Sequence, residues 1–83
     1  MWYVYGLKCR DNSLYVGSTN SVKRRVAEHQ SGLTQSTKSK LPVRLVFHTG
    51  VHTEKGARAL EKYLKTGSGE AVLKKRILAD EAS

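Results

Sequence analysis

Residues 14–29 read LYVGSTNSVKRRVAEH. Leu14, Tyr15 and Val16 are good strand formers, yet within a few residues the pattern turns helical. Asn20 is placed to cap a helix over residues 21–30, and Gly32 to end it. At about 100° per residue, with Val22 at about 0°, Val26 falls at about 40°, His29 at about 340° and Arg25 at about 300°. The apolar side of this helix therefore carries a histidine within it and an arginine on its edge. Those are poor residues for a closed core, so that side is expected to face a groove in which polar groups act.

Upstream, WYVYGL (residues 2–7) reads as a strand and RDNS (10–13) as a turn, so the first thirty residues predict a β-hairpin followed by a helix. Period-two alternation puts Tyr3 and Tyr5 on one face of the first strand, with Trp2 and Val4 on the other. In the second strand Tyr15 and Gly17 share a face opposite Leu14 and Val16. Downstream, SGLTQSTKSKLP (31–42) is a polar, basic loop without internal period, and VRLVFHTG supplies a third strand over 43–48. Thr53 can cap a helix over 54–65 whose buried stripe is Ala57, Leu60 and Leu64, with Glu61 beside it. TGSG (66–69) is expected to break the chain before a last basic helix over 70–78, and ADEAS (79–83) to be a frayed, disordered tail. The order β-β-α-β-α-α predicts one α/β (α+β) sandwich domain over residues 1–78, a three-stranded, largely antiparallel sheet flanked by helices.

Composition narrows the function classes. Eighty-three residues suffice for one domain with one modest core. No run of ~18 apolar residues suggests a membrane span. The short apolar run at the start is followed by charge, not preceded by it, which is the wrong order for a secretory signal, and a cytoplasmic location is expected. The single cysteine, Cys9, has no internal disulfide partner and no CxxC companion for zinc, and is expected to be packing. Fifteen Lys and Arg against seven Asp and Glu leave a net charge of +8, which favours a polyanionic partner such as nucleic acid. No long basic amphipathic helix with Trp or Phe on its opposite face points to a membrane surface.

The tripeptides YVY (Tyr3 to Tyr5) and YVG (Tyr15 to Gly17), the helical KRRVAEH, and a glutamate on the helix after strand three form an ordered set. In these the chain resembles the GIY-YIG nuclease family, and its small single-domain bacterial members most. The resemblance runs from Trp2 to about Ile77 and implies metal-dependent cleavage of phosphodiester bonds in nucleic acid. It further implies that Tyr5 and Tyr15 are the two catalytic tyrosines, Arg25 the helical arginine, His29 the residue one turn later, and Glu61 the metal-binding glutamate. Two positions depart from the pattern. Ser18 stands where many members carry a lysine, and the C-terminal segment has no asparagine.

The chemistry suits these residue types. One Mg²⁺ (or Mn²⁺) held by a single carboxylate keeps several waters and takes substrate phosphate as a further ligand, which fits Glu61. Arg25 offers a fork of donors to phosphate oxygens. Tyr5 is the proposed general base and Tyr15 would orient the water or bind phosphate. His29 would hold a tyrosine hydroxyl or itself accept the proton. His48 and His52 lack the helical spacing of a zinc pair and are read as structural. Lys38 and Lys40 in the loop, with Lys74, Lys75 and Arg76 on the last helix, could guide the nucleic-acid backbone. The expectation is a Mg²⁺-dependent endonuclease of low sequence specificity, monomeric or weakly dimeric. It would cut DNA more than RNA, including structured or branched forms. The alternative is a nucleic-acid-binding module of the same fold with weak or lost turnover, which the two departures favour.

Overall fold

The hairpin closes through its turn residues. Asn12 adopts a left-handed backbone (φ 66°), which asparagine tolerates, and the Asp11 carboxylate accepts the Ser13 N–H at 3.0 Å. The computed structural model describes residues 1–82. It gives β1 (Trp2–Lys8), β2 (Leu14–Thr19), α1 (Val22–Gln30), a 3-10 turn (Lys38–Lys40), β3 (Arg44–Val51), α2 (Glu54–Leu64) and α3 (Gly67–Ala82). The sheet order is β2-β1-β3, with β1 antiparallel to both neighbours. This is the β-β-α-β-α-α sandwich read from the sequence.

The alternation along β1 divides the core between the two faces of the sheet. Val4 and Val16 pack with Ala57 and Leu64 of α2 and with Leu73 and Ile77 of α3. Tyr5, Leu7, Cys9 and Val43 lie on the other face, with Val26 of α1 and Leu41 packed against them. Burial of each such aliphatic side chain stabilises the fold by about 1.5–3 kcal/mol before entropic costs. β3 needs a device to serve both faces. Gly6 pairs with Phe47 but Leu7 pairs with Leu45, so Val46 is the extra residue of a β-bulge. Val46 and Phe47 then both join the α2/α3 face while Leu45 joins the other.

Several boundaries differ from the expected ones. The helix cap is Ser21, whose Oγ accepts the Arg24 N–H, and Asn20 instead accepts from the Arg24 guanidinium at 2.9 Å. β3 continues to Val51 because β1 pairs along its whole length, down to Trp2↔Val51. TGSG breaks the chain for less than a turn. The Thr66 hydroxyl accepts the Gly69 N–H at 3.1 Å, and Gly69 presents no Cβ to the Tyr63 carbonyl it lies against, so α3 starts at Gly67. That helix runs on to Ala82, so residues 79–82, expected as a tail, are helical. Ser83 lies outside the described residues.

Candidate active site

Tyr5 and Gly17 are Cα partners in the β1–β2 ladder, and the Tyr5 side chain lies over that glycine. A Cβ at position 17 would stand 2.6 Å from the Tyr5 hydroxyl oxygen and 2.7 Å from Cζ. The glycine of YVG is thus the floor on which the tyrosine rests. Gly17→Ala should displace the ring and cost about 1–3 kcal/mol of stability, read by chemical denaturation.

α1 presents His29 to the same place. Its end is a Schellman turn: the Gly32 N–H donates to the His29 carbonyl and the Leu33 N–H to that of Glu28, with Gly32 at φ +81°. His29 is fully buried. Its Nε2 lies 2.8 Å from the Tyr5 hydroxyl and its Nδ1 2.8 Å from the Thr37 hydroxyl. The Tyr15 ring centre is 4.9 Å from that of His29 and 6.3 Å from that of Tyr5. Arg25, one turn before His29, pairs with Glu28 at 2.9 Å and brings its charge near the Tyr5 hydroxyl.

Glu61 arrives from α2, across the edge strand β2. Its Oε1 accepts from the Ser18 hydroxyl at 2.6 Å and its Oε2 from Lys65 at 2.8 Å. The Lys65 ammonium lies 5.7 Å from the Tyr15 ring centre. Lys65 thus pairs with Glu61 from one turn on, whereas Arg58 pairs with Glu54 at 2.7 Å. Ser18 and Lys65 were not read as site residues. Ser18, in place of a lysine, anchors the carboxylate, and Lys65 brings an ammonium to the same spot from the next turn of α2.

Electrostatics follow from burial. Burial pushes the Tyr5 hydroxyl up to about 12, against the opposing influence of the Arg25 guanidinium. Burial and then the Arg25 charge hold His29 below the usual histidine value. For Glu61, burial acts upward, but the hydrogen bonds from Lys65 and Ser18 outweigh it and the carboxyl lies below its ordinary value. His29 is therefore neutral and Glu61 ionised at neutral pH.

A depressed histidine means that the unfolded chain binds more protons in that window. His29 stability is complete above the unfolded value of about 6.5 and is lost as pH falls toward the lower folded value. The Glu61 contribution is present above about 4.3 and fades below that, at lower pH still. Melting temperature should thus fall between pH 7 and 5, and the fall should shrink in His29→Gln; melting scans at the two pH values check it.

The family model of the GIY-YIG catalytic domain matches residues 1–76. The chain belongs to the GIY-YIG family. It is 42% identical over 80 residues to a UPF0213 protein of Natronomonas pharaonis, covering 95% of this chain and 92% of that one. To a UPF0213 protein of Staphylococcus haemolyticus it is 41% identical over 73 residues, covering 87% and 89%. A match of 41% identity to a UPF0213 protein of Streptococcus pneumoniae spans 76% of this chain and 65% of that longer protein. The solution NMR structure of a UPF0213 protein from Bacillus halodurans superposes with a TM-score of 0.56 at 33% identity, over 90% of this chain and 84% of that one.

In this GIY-YIG domain the fold thus brings Tyr5, Tyr15, Arg25, His29 and Glu61 to the β2 side of the sheet. The basic residues expected to guide nucleic acid are more scattered. Lys38 and Lys40 form the 3-10 turn directly after Thr37. Lys74 pairs with Glu70 at 2.9 Å and lines a cleft with Lys8, Asn12 and Leu14 at the hairpin end. Arg76 lies 5.9 Å from the Phe47 ring centre on the β3 side, and Lys75 is exposed. His48 and His52 are exposed. Among the described residues, no helix is long and apolar enough to cross a membrane.

The donor set bears on the metal. Among the described residues no three His, Cys, Asp or Glu side chains gather as a cage. Mg²⁺ does not require one, since it is commonly bound by one or two carboxylates with waters and substrate phosphate. Glu61, ionised and with its side chain 23% exposed, fits that mode.

Proposed function

We propose that this GIY-YIG domain is a Mg²⁺-dependent endonuclease that hydrolyses phosphodiester bonds, in DNA more than RNA, with little sequence preference. The observation that carries this reading is the Tyr5 hydroxyl. It sits 2.8 Å from the His29 imidazole with the Arg25 guanidinium nearby, in a cluster that also holds an ionised carboxylate. Glu61 would hold the metal, which when bound supplies positive charge to the phosphate and a more acidic water.

The rest is done by the chain's own side chains. Arg25 offers N–H donors to a phosphate oxygen and stabilises charge that grows there. A tyrosine pushed up to about 12 carries the phenolate in roughly one molecule in 10⁵ at pH 7, too few for a preformed base. Tyr5 therefore works as a relay: its oxygen takes the proton of the attacking water while its own proton passes to the neutral His29 Nε2. Tyr15, its ring tilted against that of His29, orients the water or the phosphate. Lys65 places a cation at the spot where many relatives have the lysine replaced here by Ser18.

The test is incubation with single-stranded, duplex, flap and branched DNA and the matching RNAs, in Mg²⁺, Mn²⁺ or EDTA, at several salt concentrations. Cleavage in the metal arms alone, with DNA cut faster, supports the reading. Salt-sensitive binding without strand cleavage in any arm would instead support a binding module of the same fold.

A further inference from the structure

The Tyr5 hydroxyl fixes where the histidine proton sits. The proton on the buried Tyr5 hydroxyl needs an acceptor, and the His29 Nε2 at 2.8 Å supplies it. A neutral imidazole carries one N–H. With Nε2 bare, that hydrogen is on Nδ1, which points at the Thr37 hydroxyl oxygen 2.8 Å away.

Thr37 is built for this contact. It is fully buried, as is His29, although it lies in a stretch that reads as a polar surface loop. Its backbone is held at both groups: its N–H donates to the Thr34 carbonyl at 3.3 Å and its carbonyl accepts the Lys40 N–H at 2.9 Å. A β-branched side chain on a fixed backbone has few rotamers, so the hydroxyl is held under the imidazole. The other groups that face His29 are Tyr5 from β1 and Tyr15 from β2, with Arg25 and Glu28 from its own helix. The Tyr5 hydroxyl is taken up at Nε2 and the Arg25 guanidinium only donates, which leaves Thr37 as the acceptor for Nδ1.

We propose that Thr37 is a positioning residue that holds the His29 proton on Nδ1, so that the bare Nε2 faces Tyr5 and can receive its proton. This rests on the nuclease reading for its consequence in catalysis, while the tautomer is measurable without any cleavage. Loss of the Thr37 oxygen leaves the Nδ1–H buried with no acceptor. The proton then moves to Nε2, where it donates to the tyrosine oxygen and blocks the relay.

The experiment uses the full chain as wild type, Thr37→Val, which keeps the shape and removes the hydroxyl, and Thr37→Ser, which keeps the hydroxyl. Nitrogen NMR of the His29 ring at neutral pH, without metal or substrate, reports which ring nitrogen is protonated. Wild type and Thr37→Ser should show Nδ1–H, and Thr37→Val should show Nε2–H. With duplex DNA and Mg²⁺, Thr37→Val should lose about 10- to 100-fold in kcat, as when other orienting partners of histidines are removed. KM should stay near that of wild type and Thr37→Ser should recover most of the rate.

Nε2–H in the wild type overturns the proposal, whether or not Thr37→Val folds. So does a Thr37→Val protein with unchanged tautomer and kcat. Nδ1–H in a wild type that cuts no substrate would overturn the nuclease reading and leave the control of the tautomer standing.

Discussion

Glu61→Gln is expected to reduce Mg²⁺-supported cleavage to an undetectable level while leaving the fold and nucleic-acid binding in EDTA intact. The change removes the anionic oxygen proposed to hold Mg²⁺ and little else. Glu61 is not a core residue: Ala57 and Leu64 fill the α2 side of the core beside it. Its two oxygens accept from Ser18 and from Lys65. A glutamine can keep both contacts by turning its carbonyl to Lys65, which only donates, and its amide to the Ser18 oxygen, which can accept. The partly exposed ion pair with Lys65 is worth at most about 1 kcal/mol, so melting should move by no more than a few degrees. Binding in EDTA should be unchanged or tighter, because a negative charge leaves a basic surface. Melting, EDTA binding and Mg²⁺-dependent nicking measured on one preparation decide it. Normal metal-dependent nicking would make Glu61 an ordinary helix glutamate paired to Lys65.

Tyr5→Phe should cost about 10²- to 10⁴-fold in kcat, the usual span for loss of a proton-transfer group. The ring that packs with Leu7, Cys9 and Val43 is kept, and Gly17 still lies beneath it. What goes is the hydroxyl that bonds to His29. His29 Nε2 is left buried without a donor, which costs about 1–3 kcal/mol, so some loss of stability accompanies the loss of rate. KM should change little, since Arg25 and the surface cations still meet the phosphates. Single-turnover cleavage at saturating DNA separates the two effects. Near-normal turnover would sink the relay through Tyr5 and move the proton transfer to Tyr15, whose ring centre is 4.9 Å from that of His29.

Both variants address residues that the sequence itself marks. Tyr5, Tyr15, Arg25 and His29 sit on short elements whose periods are strong. Alternation places both tyrosines on one face of the hairpin, and the 3.6-residue period turns Arg25 and His29 toward that face. These are local relations, so the sequence carried them, together with the element order, the Thr53 cap and the division of Val4 from Tyr5 across the sheet. The family pattern added Glu61, whose helix is far along the chain.

What the sequence could not hold were contacts between segments with no shared period. Nothing in STKSK marks Thr37 as buried. It becomes so only because the Schellman turn at Gly32 folds the following loop back beneath His29. Ser18 read as a missing cation, and only the approach of α2 to the β2 edge makes it the hydroxyl that grips Glu61, with Lys65 alongside. Helix ends depart from their expected places for the same reason. α3 begins at Gly67 because Gly69 lies against the Tyr63 carbonyl and Thr66 caps its N–H, a close approach that a propensity reading of TGSG treats as a break. The sequence by itself determined which residues face the groove. The tertiary structure decided which of them touch, because hydrogen-bond partners more than a turn or a strand pair apart are set by packing and not by local period.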